Sequence, residues 1–96
     1  MVGKKCIIRG DRSGLFYGVI VSIEGSKCEM KNAQKLAYWS GAACAEQLSQ
    51  EGTKNPDSCK FTIVVPTITI YDLIQHIPCS TDAILNIEAV KVWKIK

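Results

Sequence analysis

Residues 15–24 read Leu-Phe-Tyr-Gly-Val-Ile-Val-Ser-Ile-Glu, so that Leu15, Tyr17, Val19, Val21 and Ile23 share one face and Phe16, Gly18, Ile20, Ser22 and Glu24 the other. A two-residue period of this kind marks a half-buried β-strand. Gly25 and Ser26 follow at once, and a glycine opening a two-residue connection suits a type II′ turn. Residues 27–31 then return with Cys28 and Met30 between charged neighbours, which places both inward. The chain is committed to a hairpin within its first third, and everything that follows has to pack on it.

Around that hairpin the pattern predicts a short strand over residues 6–9 and a turn over 10–14. A helix is predicted over 40–51, with Ser40 as its N-cap and Gly52 as the left-handed residue that ends it. Its inward side would be small, made of Gly41, Ala42, Cys44, Ala45 and Leu48. Residues 53–58 read as a loop around Asn55-Pro56-Asp57. Strands follow at 61–65 and 67–71, separated by Pro66, which lacks an N–H and belongs at an edge or bend. A further strand at 73–78, a short helix capped by Ser80 or Thr81 with Ile84 and Ile87 inward, and a last strand at 90–95 complete the reading. The predicted fold is α+β, a mainly antiparallel, curled sheet of about six strands with two short helices. Closure into a barrel is left open by the pattern.

With 96 residues the chain reads as a single domain, 1–96, whose small core would gain from self-association. Its apolar runs fall far short of the roughly 20 residues of a membrane span. The apolar run after Lys4 and Lys5 stops at Arg9, Gly10 and Asp11, too soon for a signal-peptide core, so a cytoplasmic setting is expected. Five cysteines at irregular spacing and a single histidine fit neither a disulfide framework nor a structural zinc site. They read as reduced thiols, mostly buried.

Charge is segregated. Residues 1–35 carry seven basic against three acidic side chains, residues 36–90 two against six, and Lys91, Lys94 and Lys96 close the chain. Adjacent termini would form one basic face, suited to an anionic ligand or to head-to-tail association. A solvated surface with no partner accounts for the same charges.

The block Tyr38-Trp39-Ser40-Gly41-Ala42 carries the recognition chemistry this chain offers. A helix starting at Ser40 would present free N–H groups to a phosphate or carboxylate. Tyr38 or Trp39 could stack on a planar base, with Lys35, Arg9 or Arg12 as counter-charge. Against this stands Trp39 as a core residue, the apolar staple ahead of an N-cap. Alternation then makes Tyr38 the better ligand residue and Trp39 the better core residue. Trp93 reads as core or subunit interface. Catalysis finds little support: Cys44 at a helix start would need His76 as its base, nothing pairs the two, the carboxylates are scattered, and residues 10–14 lack the spacing and lysine of a phosphate loop. No catalytic residue, metal or cofactor is expected.

In Ile8-Arg9, Ser13-Gly14, Phe16-Tyr17-Gly18, Lys31-Asn32-Ala33 and above all Tyr38-Trp39-Ser40-Gly41-Ala42-Ala43 with Gln47-Leu48, the chain resembles a family of small proteins of tailed bacteriophages and prophages. Gly52, Pro56, Cys59-Lys60-Phe61, Ile77-Pro78-Cys79 and Trp93 extend the resemblance over nearly the whole chain. Gln34, Lys35, Leu36 and Ala37 stand where that family has two arginines, a large apolar residue and a tryptophan, which weakens bidentate arginine recognition of an anion. The resemblance implies a phage product acting in a bacterial host.

Three roles follow as expectations. One is a non-catalytic, homo-oligomeric protein that binds a small anionic, nucleotide-type ligand and sequesters a host immune signal. Another is a protein-interaction module that inhibits a host protein or serves in phage assembly. The third is a single-stranded nucleic-acid-binding module using Tyr17, Tyr38 and flanking lysines.

Overall fold

The computed structural model describes residues 3–95; Lys96, counted above in the basic C-terminal end, lies outside them, as do Met1 and Val2. Six strands and two helices run in the order β1 (Lys5–Gly10), β2 (Gly14–Glu24), β3 (Lys27–Tyr38), α1 (Ala45–Glu51), a 3₁₀ turn at Pro56–Ser58, β4 (Lys60–Phe61), β5 (Val65–Ile70), β6 (Leu73–Pro78) and α2 (Thr81–Glu88). The sheet order is β4-β3-β2-β1-β6, and β5 pairs with β3 alongside β4. The ladders between strands are antiparallel. The α+β class therefore stands, whereas the expected curl does not: the sheet is neither closed nor strongly curled.

The hairpin forms as its alternation dictates, with Gly25 at φ 58° in the turn and Cys28 and Met30 fully buried. Two irregularities change which side chains share a face. Ser22 faces Glu29 while Ile20 faces Met30, so Val21 has no counterpart in β3 and becomes a bulge. Parity flips there. Ile23 joins Phe16 and Ile20 instead of continuing the row of Leu15 and Tyr17. The expected single apolar face is thus replaced by two.

One core lies on the helical side and joins Ile7, Leu15, Tyr17, Leu36 and Phe61 to Ala45 and Leu48 of α1 and Ala83 and Ile87 of α2. The other lies on the opposite side and joins Cys6, Ile8, Phe16, Ile20, Cys28, Met30, Ala33 and Ile70, with Ile23, Ile68 and Leu73 packed against it. Neither helix takes part in this second core. Cys6, Cys28 and Cys59 are buried free thiols, Cys79 is half-buried and Cys44 exposed. Burial pushes the Cys79 thiol up to about 12.

Several boundaries differ from the sequence reading. β3 runs on to Tyr38, well past residue 31, because β5 and then β4 supply its second partner. β4 is two residues long and not five. Residues 90–95 form no strand: Val92 makes a single parallel bridge to Phe61, and the Trp93 N–H donates to the Phe61 carbonyl at 2.8 Å. Pro66 sits inside β5, a strand paired only with β3, where the missing N–H faces no ladder. Of the helical pairs, α2 has Ser80 as N-cap, its Oγ accepting from the Ala83 N–H at 3.0 Å. Ile87 is fully buried and Ile84 half-buried, as its phase requires.

The second irregularity lies opposite Gly18, which faces Asn32 and Ala33 together: Tyr17 pairs with Gln34 and Val19 with Lys31. A Cβ on Gly18 would stand 2.8 Å from the Ala33 Cβ and 2.9 Å from its Cα. Gly18→Ala should therefore lower unfolding stability by about 1–3 kcal/mol through overpacking. Denaturant titration reads the shift, and a midpoint unchanged from the parent would contradict this packing.

Candidate functional site

The helix start anticipated at Ser40 lies four residues later. Cys44 is the N-cap, its Sγ accepting from the Gln47 N–H at 3.5 Å, while Gln47 Oε1 accepts from the Ala43 N–H at 2.7 Å. This reciprocal pair satisfies the helix entry much as a capping box does. Ser40 is engaged elsewhere. Its carbonyl accepts from the Thr53 hydroxyl, and its own hydroxyl accepts from Asn55 Nδ2 at 3.3 Å. The Ser40 cap is a correction to the sequence reading: the loop at 53–55 competes for the same polar atoms and takes them.

Gly41 belongs to that loop contact. It has φ 82°, its carbonyl accepts from the Lys54 N–H at 3.1 Å, and an added Cβ would lie 2.5–2.7 Å from Asn55 N, Thr53 Oγ1 and Lys54 N. Ala42 and Trp39 are half-buried and pack against the helical-side core. Trp39 is thereby the apolar residue of the pair, as the alternation with Tyr38 suggested.

Nor do the three cations gather around this block. Arg9 pairs with Leu15 in the β1–β2 ladder and so faces the helical side, where its Nε donates to Gln75 Oε1 at 3.3 Å and Gln75 Nε2 donates to Glu46 at 3.0 Å. Lys35 pairs with Phe16 and faces the other side, its Nζ 5.9 Å from the Phe16 ring centroid. Arg12 lies exposed in the β1–β2 turn, which Asp72 holds by accepting from the N–H groups of Arg12 and Ser13 and from the Ser13 hydroxyl. Those bonds keep the Asp72 carboxyl below its ordinary range.

Tyr38 ends β3 with 53% of its surface exposed and faces Lys60 across the short β4 ladder. The Lys60 ammonium stands 5.4 Å from the centroid of Trp93, a ring also 53% exposed. Trp93 forms one wall of a cleft of about 330 Å³, together with Pro56, Cys59 and Val92, and Lys91, Lys94 and Asp57 supply its charged groups. Counting Lys60, three lysines stand against one aspartate. Sequence reasoning missed Lys60 and Trp93 because residues 90–95 lie far from 38 along the chain. The Phe61–Val92 bridge brings them together. The one legible hint was the basic C-terminal end.

A second polar group ties β1 and β2 to the end of α2. Glu88 Oε2 accepts from Lys5 Nζ at 2.7 Å and from the Tyr17 hydroxyl at 2.6 Å. Lys5 first, then Tyr17, hold the Glu88 carboxyl below its ordinary value. Burial, reinforced by this carboxylate, pushes the Tyr17 phenol well up. Among the described residues no three His, Cys, Asp or Glu side chains are placed to hold a metal, and no helix is long and apolar enough to cross a membrane.

Comparison with known proteins adds a family. Residues 3–87 match the Domain of unknown function (DUF6948). The chain belongs to that family. The match includes Tyr38 and Lys60 and ends ahead of Lys91, Trp93 and Lys94. No curated protein matches the chain, and no solved structure does.

Two outcomes follow from this geometry. Gly41→Ala should cost about 1–3 kcal/mol, since it combines a left-handed φ with a backbone clash, and Ser40→Ala should cost less; equal losses in thermal unfolding would contradict the loop contact. Glu88 has a depressed carboxyl, so its contribution to stability is present above its ordinary value near 4.5 and disappears as pH falls through the lower folded value. The stability difference between the parent and Glu88→Gln should be under about 1 kcal/mol at pH 7, the group being partly exposed, and should shrink below pH 4.5. A difference that grows on acidification would reverse the assignment.

Proposed function

We propose that this chain is a non-catalytic accessory protein of bacteriophages that binds a small, planar, anionic ligand of nucleotide type. In the host bacterial cytoplasm it sequesters a signalling molecule of that class. The observation that carries the reading is the Lys60 ammonium over the Trp93 ring, with Tyr38 across the ladder and Lys91 and Lys94 at the adjoining cleft. A half-exposed indole offers a face for a base, and surrounding ammonium groups offer charge to a phosphate. Of the residues expected from the sequence this site keeps Tyr38 alone, and Lys60, Lys91, Trp93 and Lys94 replace Trp39, Ser40, Gly41, Ala42, Arg9, Arg12 and Lys35. Asp57 at the rim restrains highly charged ligands. The phage setting rests on the resemblance carried by the Tyr38-Trp39-Ser40-Gly41 block, and homo-oligomerisation belongs to the same proposal.

Titrating the purified protein with 3′,5′-cyclic AMP and with ADP-ribose, followed by tryptophan fluorescence, tests the reading. Saturable quenching should appear and weaken at least tenfold in the double variant Lys60→Ala/Lys91→Ala, which keeps the reporting indole. Recovery of intact nucleotide after denaturation would separate sequestration from turnover. Absence of saturable quenching by either probe would remove the proposal. Tight binding of oligothymidine that collapses steeply with added salt would instead favour a single-stranded nucleic-acid module.

A second reading, a protein-interaction module that inhibits a host protein or serves in phage assembly, is favoured by Ile63 and Val64. These consecutive residues, 51% and 52% exposed, stand in the β4–β5 connection. Recovery of one host protein in stoichiometric amount, lost in Ile63→Asp, would support it over ligand binding.

A further inference from the structure

We propose that residues 90–95 form a strap that opens locally from the rest of the fold, and that the ligand of the Trp93 cleft holds it shut. Closure by ligand rests on the nucleotide reading above, whereas the opening does not. The end of α2 is fixed, since Glu88 accepts from both Lys5 and Tyr17. The Ala89 and Val90 N–H groups donate back to the Asn86 and Ile87 carbonyls at 3.2 Å and complete that turn. Beyond it the attachments thin out. Among the described residues, the one backbone N–H of 91–95 that donates to the fold is that of Trp93, to the Phe61 carbonyl, and the Phe61–Val92 bridge stands alone. Val90 is the buried anchor of the segment, 7% exposed and part of the helical-side core, while Val92 is half-buried and Lys91, Trp93, Lys94 and Ile95 are exposed. β1, by contrast, has a partner strand on both sides. A segment held by one anchor and one bridge opens at far smaller cost than such a ladder.

What the strap carries gives its opening a consequence. Lys91, Trp93 and Lys94 line the anion cleft against Pro56, Asp57 and Cys59, and Val90 and Val92 wall a second cleft of about 330 Å³ against Val19 and Val64. Undocking takes the indole away from the Lys60 ammonium, 5.4 Å from it in the docked chain, and removes one wall from each cleft. A ligand that stacks on Trp93 while meeting the charge of Lys60 therefore binds the docked state alone. It shifts the equilibrium toward that state by its differential affinity.

Hydrogen exchange of the ¹⁵N-labelled full chain reads both halves. Without ligand, the Trp93 amide should be at least a hundredfold less protected than the bonded amides of the β1–β2 ladder, and low concentrations of urea should leave its exchange unchanged. Val90→Ala should lower Trp93 protection at least fivefold, because the two residues open as one unit. Whichever of 3′,5′-cyclic AMP and ADP-ribose quenches tryptophan fluorescence should, at a hundredfold excess over its Kd, raise Trp93 protection about a hundredfold. A Trp93 amide as protected as the ladder, or one indifferent to Val90→Ala and so frayed independently of its anchor, would overturn the strap. A probe that quenches yet leaves Trp93 exchange unchanged would overturn closure by ligand and leave binding standing. Absence of binding by both probes would remove closure together with the nucleotide reading, while exchange of the ligand-free protein still decides the opening.

Discussion

Burial of both faces of the β1–β2–β3 ladder is the constraint on which the rest of the structure depends. A chain of this length has little apolar area to remove from water, and a sheet with one wet face would leave much of it exposed. β1 alternates Ile7 and Ile8 into different cores, and β2 does the same with Tyr17 and Phe16. The helices cover only one side. Strand β5, with Ile68 and Ile70, and Leu73 at the start of β6 protect the other. The Val21 bulge makes this compatible with one continuous strand, since it turns Ile23 to the side of Ile20.

The same constraint explains why α1 is short and starts late. Residues 39–43 have to cross from the end of β3 to the helical face while keeping Trp39 and Ala42 against the core. They do so as irregular chain whose polar groups need partners. Thr53, Asn55 and Cys59 provide them, converging on the Ser40 carbonyl and hydroxyl. Gly41 is required where the two loops touch. The row of small residues that suggested a long helix packing closely on a sheet serves instead as a close loop-to-loop crossing, followed by two turns of helix.

The docking of the last residues shapes both clefts. Val90 and Val92 run beside the hairpin, close a cleft against Val19 and Val64, and carry Trp93 over to Lys60. Lys5 and Glu88 join the first strand to the end of α2 at that place. Their two charges neutralise each other. Lys60, Lys91 and Lys94 stand about Trp93, while Lys4, Arg12, Lys27, Lys31, Lys35 and Lys54 are exposed elsewhere.

What the residues determined by themselves is local. The hairpin, the glycine in its turn, strand β6, the Ser80-capped helix and the packing of Trp39 against the core beside an exposed Tyr38 all follow from periodicity, turn chemistry and capping within a few positions of each residue. Tertiary structure decided the rest, for a common physical reason: each outcome depends on competition between distant groups. Ser40 lost its cap role to Thr53 and Asn55, Ile23 changed faces through a bulge set by pairing with β3, and Tyr38 acquired Lys60 and Trp93 as neighbours through β4. Strand parity sent Arg9 and Lys35 to different faces and the β1–β2 turn carries Arg12, which no count of charges along the chain can anticipate.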